Sequence, residues 1–407
     1  MAREKITVLV MFGGRSPEHD VSIVTGLQVL SALDPDAYRP IPLYIAGSGE
    51  WYIGDSLARR EFYIPSAEQL KDLAPVSLQP GAGARPALVT QPRSILSRPR
   101  RIEFDIALPA FHGLFGEDGR IQGALETLGA PYTGMRTPAS AVLMDKALTK
   151  HVLVKDVLAN DGISMLDHRE IMRPSQGLLL TPSELQSQLG EVKFPRCVKP
   201  AHLGSSIGVA RVSDLDELSS VLPDIFRYDD VAILEPFVEN LVEYNVAVRR
   251  AGEQFHTSAI ERPKHSSELL DFKSKYLSGS KKVPGTKVPG QSSEGMLSLT
   301  RELNPPLSAE MENKIRSWAV KAFARVGGTG APRVDFLCNA KTGELWLNEI
   351  NPCPGSFGYF LWEAAAERLL FSELLDFLIA EGLEIGRRNQ LPSDPTPADA
   401  RLFARKA

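Results

Sequence analysis

The sequence has few cysteines and no long apolar run. Its 407 residues include only three cysteines, Cys197, Cys338 and Cys353, which are far apart and form no Cys-x-x-Cys pair. This spacing argues against a disulfide framework or a zinc knuckle and favours a reducing compartment. No stretch approaches the roughly 18 apolar residues that a membrane span needs. We therefore expect a soluble cytoplasmic protein with no membrane partner.

The sequence also lacks an excess of charge of either sign. Lys and Arg number 46 against 50 Asp and Glu, which gives a formal net charge of −4. We therefore expect no nucleic-acid partner, and any polyanion must be bound locally. Apolar residues make up 43% and charged residues 24%, which is typical of a globular chain. The length predicts about two to three domains.

Residues 1–135 are predicted to form an N-terminal open parallel α/β domain. The apolar run at 6–12 has the length of a strand, and Gly13-Gly14 and a helical pattern follow it. Within this domain, residues 78–101 are rich in Pro, Gly and Arg. That composition favours a solvated surface insertion over a basic contact arm.

Three further regions complete the chain. Residues 136–238 are predicted to be a small α+β unit that opens with one helix from Thr137 to about 158. Residues 239–384 are predicted to contain a long helix, a hairpin at 333–351 and a final helix, and residues 385–407 form a polar tail. The stretch 263–294, with two Lys-Val-Pro-Gly units, is expected to be a mobile loop.

The hairpin at 333–351 carries the strongest chemical signal. Strand alternation puts Glu349 and Asn351 on one face. Pairing of Cys338 with Glu344 would place Arg333 opposite Glu349, with Asp335 diagonal to it. Leu345 and Leu347 would then extend this face, while Trp346, Asn348 and Ile350 would point away.

Two carboxylates and a carboxamide oxygen on one face are hard ligands, suited to Mg²⁺ or Mn²⁺ that also binds phosphate oxygens. The neighbouring Arg333 would stabilise negative charge on a reacting oxygen. An exposed hairpin with an ordinary ladder of salt bridges is the alternative interpretation.

A second candidate is the glycine-containing segment from Lys199 to Val209. Its backbone N–H groups and the hydroxyls of Ser205 and Ser206 can close over phosphates, although a plain β-turn is the alternative. No G-x-G-x-x-G follows a strand, so dinucleotide redox chemistry loses its main support. Glu235 and Glu243 could accept hydrogen bonds from adenine and ribose, or they could simply be solvated.

Seven short segments, in order along residues 5–380, carry a resemblance to a known family. They are Gly13 to Ser22, His112 to Gly119, Met144-Asp145-Lys146, Lys199-Pro200 with Gly204 to Val209, Lys275-Tyr276, Arg333 to Phe336, and Asn348 to Asn351 with Pro354-Gly355. Together they resemble the D-alanine–D-alanine ligases of the ATP-grasp superfamily. The resemblance implies α/β and α+β architecture, with an ATP-grasp fold following the N-terminal domain, and a homodimer.

The resemblance implies an ATP-dependent ligase of peptidoglycan synthesis with small amino acids as substrates. It would pass the γ-phosphate of ATP to the carboxylate of one amino acid, and the amine of a second would attack the acyl phosphate. The products would be a dipeptide, ADP and phosphate. Because water would consume the acyl phosphate, the 263–294 loop is the predicted lid.

The same resemblance assigns roles to individual residues. It places Lys146, Lys199, Ser206 and Lys275 at the ATP phosphates, Glu235 at the adenine, Glu243 at the ribose, and Asp335, Glu349 and Asn351 on two Mg²⁺ ions. Glu18 would contact the first substrate's ammonium in a network with Ser205 and Tyr276, and His112 would lie near that substrate's carboxylate. Arg333 and the Gly355 amide would form the oxyanion hole.

Two departures from the family pattern leave the second substrate open. Phe360 stands where the family has a serine that binds the second carboxylate, and Phe272 replaces a common tyrosine in the loop. The alternatives are the same chemistry with another amino acid, a hydroxy acid or an amine, or a catalytically silent nucleotide-binding relative. The retained phosphoryl-transfer residues argue against the silent relative.

The remaining histidines show no paired metal-ligand spacing in the sequence. We expect them at the surface or in loops. They are His151, His168, His202, His256 and His265.

Overall fold

The structure is a computed structural model. It describes residues 4–62, 65–80, 85–92, 98–153, 162–204, 207–264, 301–390 and 396–401. Four predicted site residues, Ser205, Ser206, Lys275 and Tyr276, lie outside these ranges, as does Phe272 and almost all of the predicted 263–294 loop.

The β-strands of the described residues form three sheets. In chain order the strands are β1 Ile6–Gly13, β2 Tyr38–Ile45, β3 Trp51–Ile53, β4 Ala74–Gln79, β5 Ala87–Thr90, β6 Arg101–Glu103, β7 Ile106–Pro109, β8 Arg169–Met172, β9 Arg196–Pro200, β10 Ala210–Val212, β11 Val231–Pro236, β12 Leu241–Ala251, β13 Gln254–Pro263, β14 Arg301–Leu303, β15 Arg333–Asn339 and β16 Leu345–Asn351.

The helices pack on these sheets. They are α1 His19–Ala32, α2 Ala67–Asp72, α3 Arg120–Thr127, α4 Thr137–Met144, α5 Lys146–Leu153, α6 Pro182–Leu189, α7 Leu215–Phe226, α8 Ala309–Arg325, α9 Tyr359–Glu363 and α10 Phe371–Arg388, with 3₁₀ turns at Asp55–Ala58, Arg60–Phe62, Gly355–Gly358 and Ala398–Ala400. Within the described ranges, none of the helices has both the length and the apolar character that a bilayer crossing requires.

The N-terminal sheet is mixed rather than wholly parallel. Its order is β6-β5-β4-β3-β2-β1-β7, and β1 runs parallel to both β2 and β7. The neighbouring pairs from β2 to β6 are antiparallel. As the apolar run predicts, β1 is an interior strand, between β2 and β7, and Val8 to Met11 are fully buried.

The interpretation of residues 78–101 as a solvated insertion is wrong at its centre. Strand β5 adds to the N-terminal sheet between β4 and β6, and its Ala87 and Leu88 are fully buried. The short apolar segment 87–89 is hidden in the sequence by the surrounding Pro, Gly and Arg, which dominate the composition of the stretch.

The predicted single helix after Thr137 is two helices. Asp145 is extended between α4 and α5, and the Lys146 N–H donates to Ala201 O at 3.0 Å instead of to its own helix. The Asp145 carboxylate accepts the Leu148 N–H at 2.8 Å, as an N-cap does. The break places Lys146 at the first position of α5.

The other two sheets are antiparallel, each with its own core. The central sheet, in the order β10-β9-β11-β8, packs α6 and α7 through Leu185, Leu218 and Leu222. The third sheet, in the order β14-β13-β12-β15-β16, packs α8 through Ile315 and Phe323. The polar residues of the hairpin β15–β16 therefore face away from α8.

The C-terminal helix α10 covers the N-terminal sheet. Its Leu374 and Leu378 are fully buried in one cluster with Val8 and Val10 of β1. The helix continues to Arg388, past the predicted start of the tail at 385. The two ends of the chain thus share one core, while the domain boundaries at 135, 238 and 384 stay predictions.

Candidate active site

A β-bulge determines which side chains the 333–351 hairpin presents. Asp335 pairs with Glu349 and the adjacent Phe336 pairs with Leu347, so Asn348 is the extra residue. Because a bulge adds one residue to one strand, the alternation of faces switches at that point. Arg333, paired with Asn351, shares the face of Asp335 and Glu349.

The predicted register of this hairpin is therefore wrong. Cys338 pairs with Leu345 rather than with Glu344, and Arg333 lies opposite Asn351 rather than Glu349. Leu345 and Leu347 are buried on the core side with Ile350 instead of extending the polar face. Asn348, expected to point away, meets the amine of Lys199 at 3.0 Å.

Asp335 is the centre of the polar face. Its carboxylate accepts two hydrogen bonds from the Arg333 guanidinium, both at 2.6 Å, and one from Asn351 Nδ2 at 2.9 Å. Burial raises the pKa of Asp335 to about 6; Arg333 opposes this rise, and the nearby charges of Glu349 and Glu243 add to it. A crowded set of partly buried carboxylates is stabilised by added positive charge.

This donor set fits a divalent cation of the magnesium class. Asp335 and Glu349 offer carboxylate oxygens and Asn351 a carboxamide, with neither imidazole nor thiolate among them. Glu243 of β12 lies opposite Leu337 on the same face of the sheet. The four oxygen-bearing side chains lie on neighbouring strands and could share metal ions and the hydroxyls of a bound nucleotide.

Glu235 holds a buried pair of lysines. Its carboxylate lies 2.7 Å from Lys150 Nζ and 2.8 Å from Lys199 Nζ. Burial alone would raise the pKa of Glu235, but the charges of Lys199 and Lys150 lower it to about 2. Lys199 therefore joins Glu235 to Asn348 and places a buried cation beside the hairpin.

Lys146 brings a second cation to the same hairpin. Its Nζ donates to Leu203 O at 2.7 Å and lies 3.6 Å from Glu349 Oε2. Lys150 follows Lys146 by four residues on α5, so both side chains project from one helix face. The sequence reasoning missed Lys150, although this spacing could have found it.

His112 connects the N-terminal sheet to the loop that follows the hairpin. Burial lowers its pKa to about 4, and the positive charge of Arg333 acts in the same direction, so the ring is neutral at neutral pH. Nδ1 lies 2.9 Å from Cys353 O and must donate to it, since a carbonyl only accepts. Nε2, at 2.7 Å from Thr25 Oγ1, then accepts the hydroxyl proton.

Glu117 also binds the backbone of Cys353, through its N–H group. Its carboxyl accepts the Cys353 N–H at 2.8 Å and the Gly113 N–H at 2.7 Å. Burial and the charge of Glu18 raise the pKa of Glu117 to about 8, despite these hydrogen bonds. Glu18 itself is buried, at 7% exposure. Glu117 belongs to the recognised segment from His112 to Gly119, but sequence reasoning gave it no role.

The turn that carries Gly355 has a strained backbone. Ser356 and Phe357 both have positive φ, 52° and 55°, a conformation that side chains disfavour. The Ser356 N–H donates to Thr25 Oγ1 at 3.1 Å, so Thr25 contacts both this turn and His112. Phe360 follows in α9, and the guanidinium of Arg301 lies 4.2 Å from its ring centre.

Two family models describe the chain. The model "D-ala D-ala ligase N-terminus" matches residues 7–135 and "D-ala D-ala ligase C-terminus" matches residues 157–380. The chain is 33% identical to the D-alanine–D-alanine ligase of Chlorobium phaeovibrioides, over 94% of this chain and 98% of that one. It is 32% identical to that of Thermosipho africanus, over 93% and 94%.

Solved structures give the same result. The D-alanine–D-alanine ligase of Coxiella burnetii is 27% identical, with a TM-score of 0.69 over 95% of this chain and 96% of that one. The fold is also that of the D-Ala:D-Ser ligase VanG from Enterococcus faecalis, at 24% identity and a TM-score of 0.70 over 93% and 100%. The expected ATP-grasp fold class is confirmed, and this chain belongs to the D-alanine–D-alanine ligase family of ATP-dependent ligases.

Proposed function

We propose that the chain joins one D-alanine to another in a step of peptidoglycan synthesis. The observation that carries this proposal is the meeting of anionic and cationic groups at the hairpin, where Lys146 lies 3.6 Å from Glu349 and Lys199 lies 3.0 Å from Asn348. A carboxylate and a triphosphate repel each other, so a catalyst that joins them needs concentrated positive charge.

The proposed roles divide between ATP and metal. Asp335, Glu349 and Asn351 would hold two Mg²⁺ ions, which polarise phosphate oxygens when bound. The phosphates would also meet Lys146, Lys199 and, outside the described residues, Ser206 and Lys275. Glu235 is proposed at the adenine and Glu243 at the ribose; Glu235 would share its carboxylate between the adenine amino group and its two lysines.

The reaction proceeds in two displacements. A carboxylate oxygen of the first D-alanine attacks the γ-phosphorus, and ADP leaves with the electrons of the broken P–O bond. The amine of the second substrate then attacks the acyl carbon, phosphate leaves, and the amine releases a proton. Arg333 and the Gly355 N–H would hold the oxyanion.

Substrate positioning falls to the N-terminal sheet. Glu18 would pair with the first substrate's ammonium, in a network with Ser205 and Tyr276. Neutral His112 would stand near its carboxylate. The homodimeric state and the cytoplasmic location stay predictions.

A second candidate function keeps this chemistry and changes the acceptor. Phe360 has no hydroxyl to donate to a carboxylate, and its ring is covered by the guanidinium of Arg301 at 4.2 Å. A site built for a hydrogen bond to a substrate differs strongly in specificity from one that lacks it. The ring therefore favours an acceptor other than D-alanine.

An acceptor panel tests both functions. The full chain is given ATP, Mg²⁺, D-alanine and one candidate acceptor at a time, and phosphate release and product mass are measured. Dipeptide from D-alanine alone supports the first function, and phosphate release that requires another acceptor supports the second. No turnover with any pair, despite ATP binding, would overturn both.

A further inference from the structure

A cluster of two histidines and a glutamate lies on the central sheet, outside the candidate active site. His151 is in the last turn of α5, Glu170 is on β8, and His168 is two residues before Glu170. One ligand atom of each lies within 4.8 Å of the others. The fold thus unites two histidines that are 17 positions apart in the sequence and show no metal-site spacing there. The sequence prediction that both lie at the surface or in loops agrees with the exposed His151 and with His168 in the loop before β8, but it did not bring them together.

The distances suit a tetrahedral metal. His151 Nε2 lies 2.8 Å and His168 Nε2 lies 3.8 Å from Glu170 Oε1, and the two imidazole rings are 5.3 Å apart. Zinc bonds of about 2.0–2.1 Å place tetrahedral ligands about 3.3 Å from one another. Of the two measured distances to Glu170 Oε1, one is shorter and one is longer than this value. Small side-chain rotations would therefore place the three ligand atoms around one ion.

The three side chains of the cluster differ in their exposure to solvent. The His168 side chain is 13% exposed, that of Glu170 37% and that of His151 54%. One ligand is thus held by the fold, while the outer two leave a path by which an ion enters. Two imidazoles and a carboxylate, with water as the fourth ligand, make up a common zinc set. Magnesium prefers oxygen ligands only.

Charges of both signs act on the cluster. The charge of Lys150 works against a positive charge at His168, and the charges of Glu170 and Glu235 work in its favour. The Nζ of Lys150 is held by Glu235 at 2.7 Å and by Leu166 O at 2.9 Å, so Glu235 offsets part of the lysine charge. On the outside, Asp167 pairs with Arg169 at 3.4 Å.

We propose that His151, His168 and Glu170 bind one zinc-class divalent cation, at a site distinct from the magnesium ligands of the hairpin. The bound ion joins the end of α5 to β8. Because α5 begins with Lys146 and carries Lys150, an ion at its other end also restrains the helix that supplies these two amines to the active site.

The test is a calorimetric titration of the full chain with Zn²⁺ in a large excess of Mg²⁺, which occupies the oxygen-ligand sites. Wild type is expected to bind one more Zn²⁺ per chain than the double variant His151→Gln/His168→Gln. Co²⁺ should give visible absorption typical of tetrahedral coordination in wild type only. Zn²⁺ should also raise the melting temperature of wild type more than that of the variant.

The matched control is His256→Gln. His256 also pairs with a glutamate, Glu367, at 3.0 Å, but it belongs to no described group of three potential ligands. This control should keep the wild-type stoichiometry. If the double variant loses its native circular dichroism, Glu170→Gln on the outer side replaces it. Equal Zn²⁺ stoichiometry in wild type and a folded cluster variant would overturn the proposal.

Discussion

At the scale of single residues, the candidate site depends on Cys353, whose backbone C=O and N–H are both hydrogen-bonded to buried side chains. The carbonyl of Cys353 accepts from His112 and its N–H donates to Glu117. Both partners lie in the loop between β7 and α3, whereas Cys353 follows the hairpin β15–β16. Since Gly355 lies two residues further on, these two hydrogen bonds orient the proposed oxyanion donor.

Glu117→Gln should lower kcat about tenfold or more while the KM for ATP changes little. A carboxyl accepts hydrogen bonds at both oxygens, but the Gln NH₂ cannot accept, so one of the two buried N–H groups loses its partner. Such a loss costs about 1–3 kcal/mol. Steady-state kinetics give kcat and KM for the variant. The control is Glu253→Gln, at an exposed surface position. Unchanged kcat would show that Glu117 does not position the loop.

The pKa of Glu117 also gives the variant a pH signature. Its folded pKa, about 8, is above its ordinary value of 4.5, so its contribution to stability is complete below pH 4.5 and is lost as the pH rises through 8. Glutamine does not titrate. The difference in the free energy of unfolding between Glu117→Gln and wild type should therefore shift in favour of the variant over this interval.

The pKa of His202 is also raised, but in a histidine this favours the charged form. The ring of His202 donates hydrogen bonds to the carboxylates of Asp145 and Asp229, at 3.2 Å and 2.7 Å. These two bonds, the one to Asp145 first in size, raise the pKa of His202 from 6.5 to about 9. The sequence predicts a surface or loop residue, and His202 does lie in the loop that follows β9. The bridge ties Asp145, the residue before Lys146, to the glycine-containing segment from Lys199 to Val209 and to Asp229.

His202→Gln should destabilise the protein on the order of 1 kcal/mol below pH 6.5, a figure reduced for a side chain that is one-third exposed. The raised pKa means that this contribution is present in full below 6.5 and disappears as the pH rises through 9. Urea unfolding at pH 6, 8 and 10 measures it. An equal loss at pH 6 and pH 10 would contradict the ionic bridge.

At the scale of elements, the hairpin shows how far the sequence alone could go. The strand positions and the grouping of Asp335 with Glu349 follow from apolar alternation and residue type. The bulge does not, because Asn348 reads as an ordinary strand residue until its partner strand fixes the register. The break before Lys146 was missed for a similar reason: a hydrogen bond to Ala201 from outside the helix decides it.

Two single-residue deletions distinguish the bulge from a regular strand. Removing Asn348 joins the pair Phe336–Leu347 directly to Asp335–Glu349 and keeps every face. The expected loss is about 1.5 kcal/mol, for the hydrogen bond to the charged amine of Lys199, which keeps its ion pair with Glu235. Removing Leu347 instead brings Asn348 opposite the buried Phe336. A carboxamide in that core, together with the lost leucine, should cost about 2–5 kcal/mol.

Urea unfolding of the two deletion variants makes the comparison. Each lacks one neighbouring residue of the same strand, so shortening of the hairpin affects both alike. Equal destabilisation would mean that the register does not depend on Asn348 as an extra residue.

At the scale of the whole molecule, segments that are far apart in the sequence pack together, and no local sequence pattern predicts these contacts. The apolar face of α10 predicts a buried helix, but nothing in its spacing indicates which sheet it covers. It packs with β1, more than 350 positions earlier in the chain, and the same cluster includes Phe357 and Trp362 beside the strained turn. The N-terminal sheet and the turn that carries Gly355 therefore belong to one core.

This shared core predicts different consequences for two buried leucines. Leu378 of α10 is fully buried in the shared cluster, while Leu222 of α7 is 2% exposed in the core of the central sheet. Changing either leucine to alanine should lower the free energy of unfolding by about 2–5 kcal/mol.

In hydrogen exchange, Leu378→Ala should raise local exchange in β1 and in the 355–363 region together, because both pack on the same cavity. Leu222→Ala should raise it in β8 to β11 and leave β1 protected. Exchange that rises in β1 equally for both variants would contradict this separation and show that the three sheets unfold as one unit. The difference between the variants therefore measures how separately the central sheet, which carries Lys199, and the turn that carries Gly355 are supported.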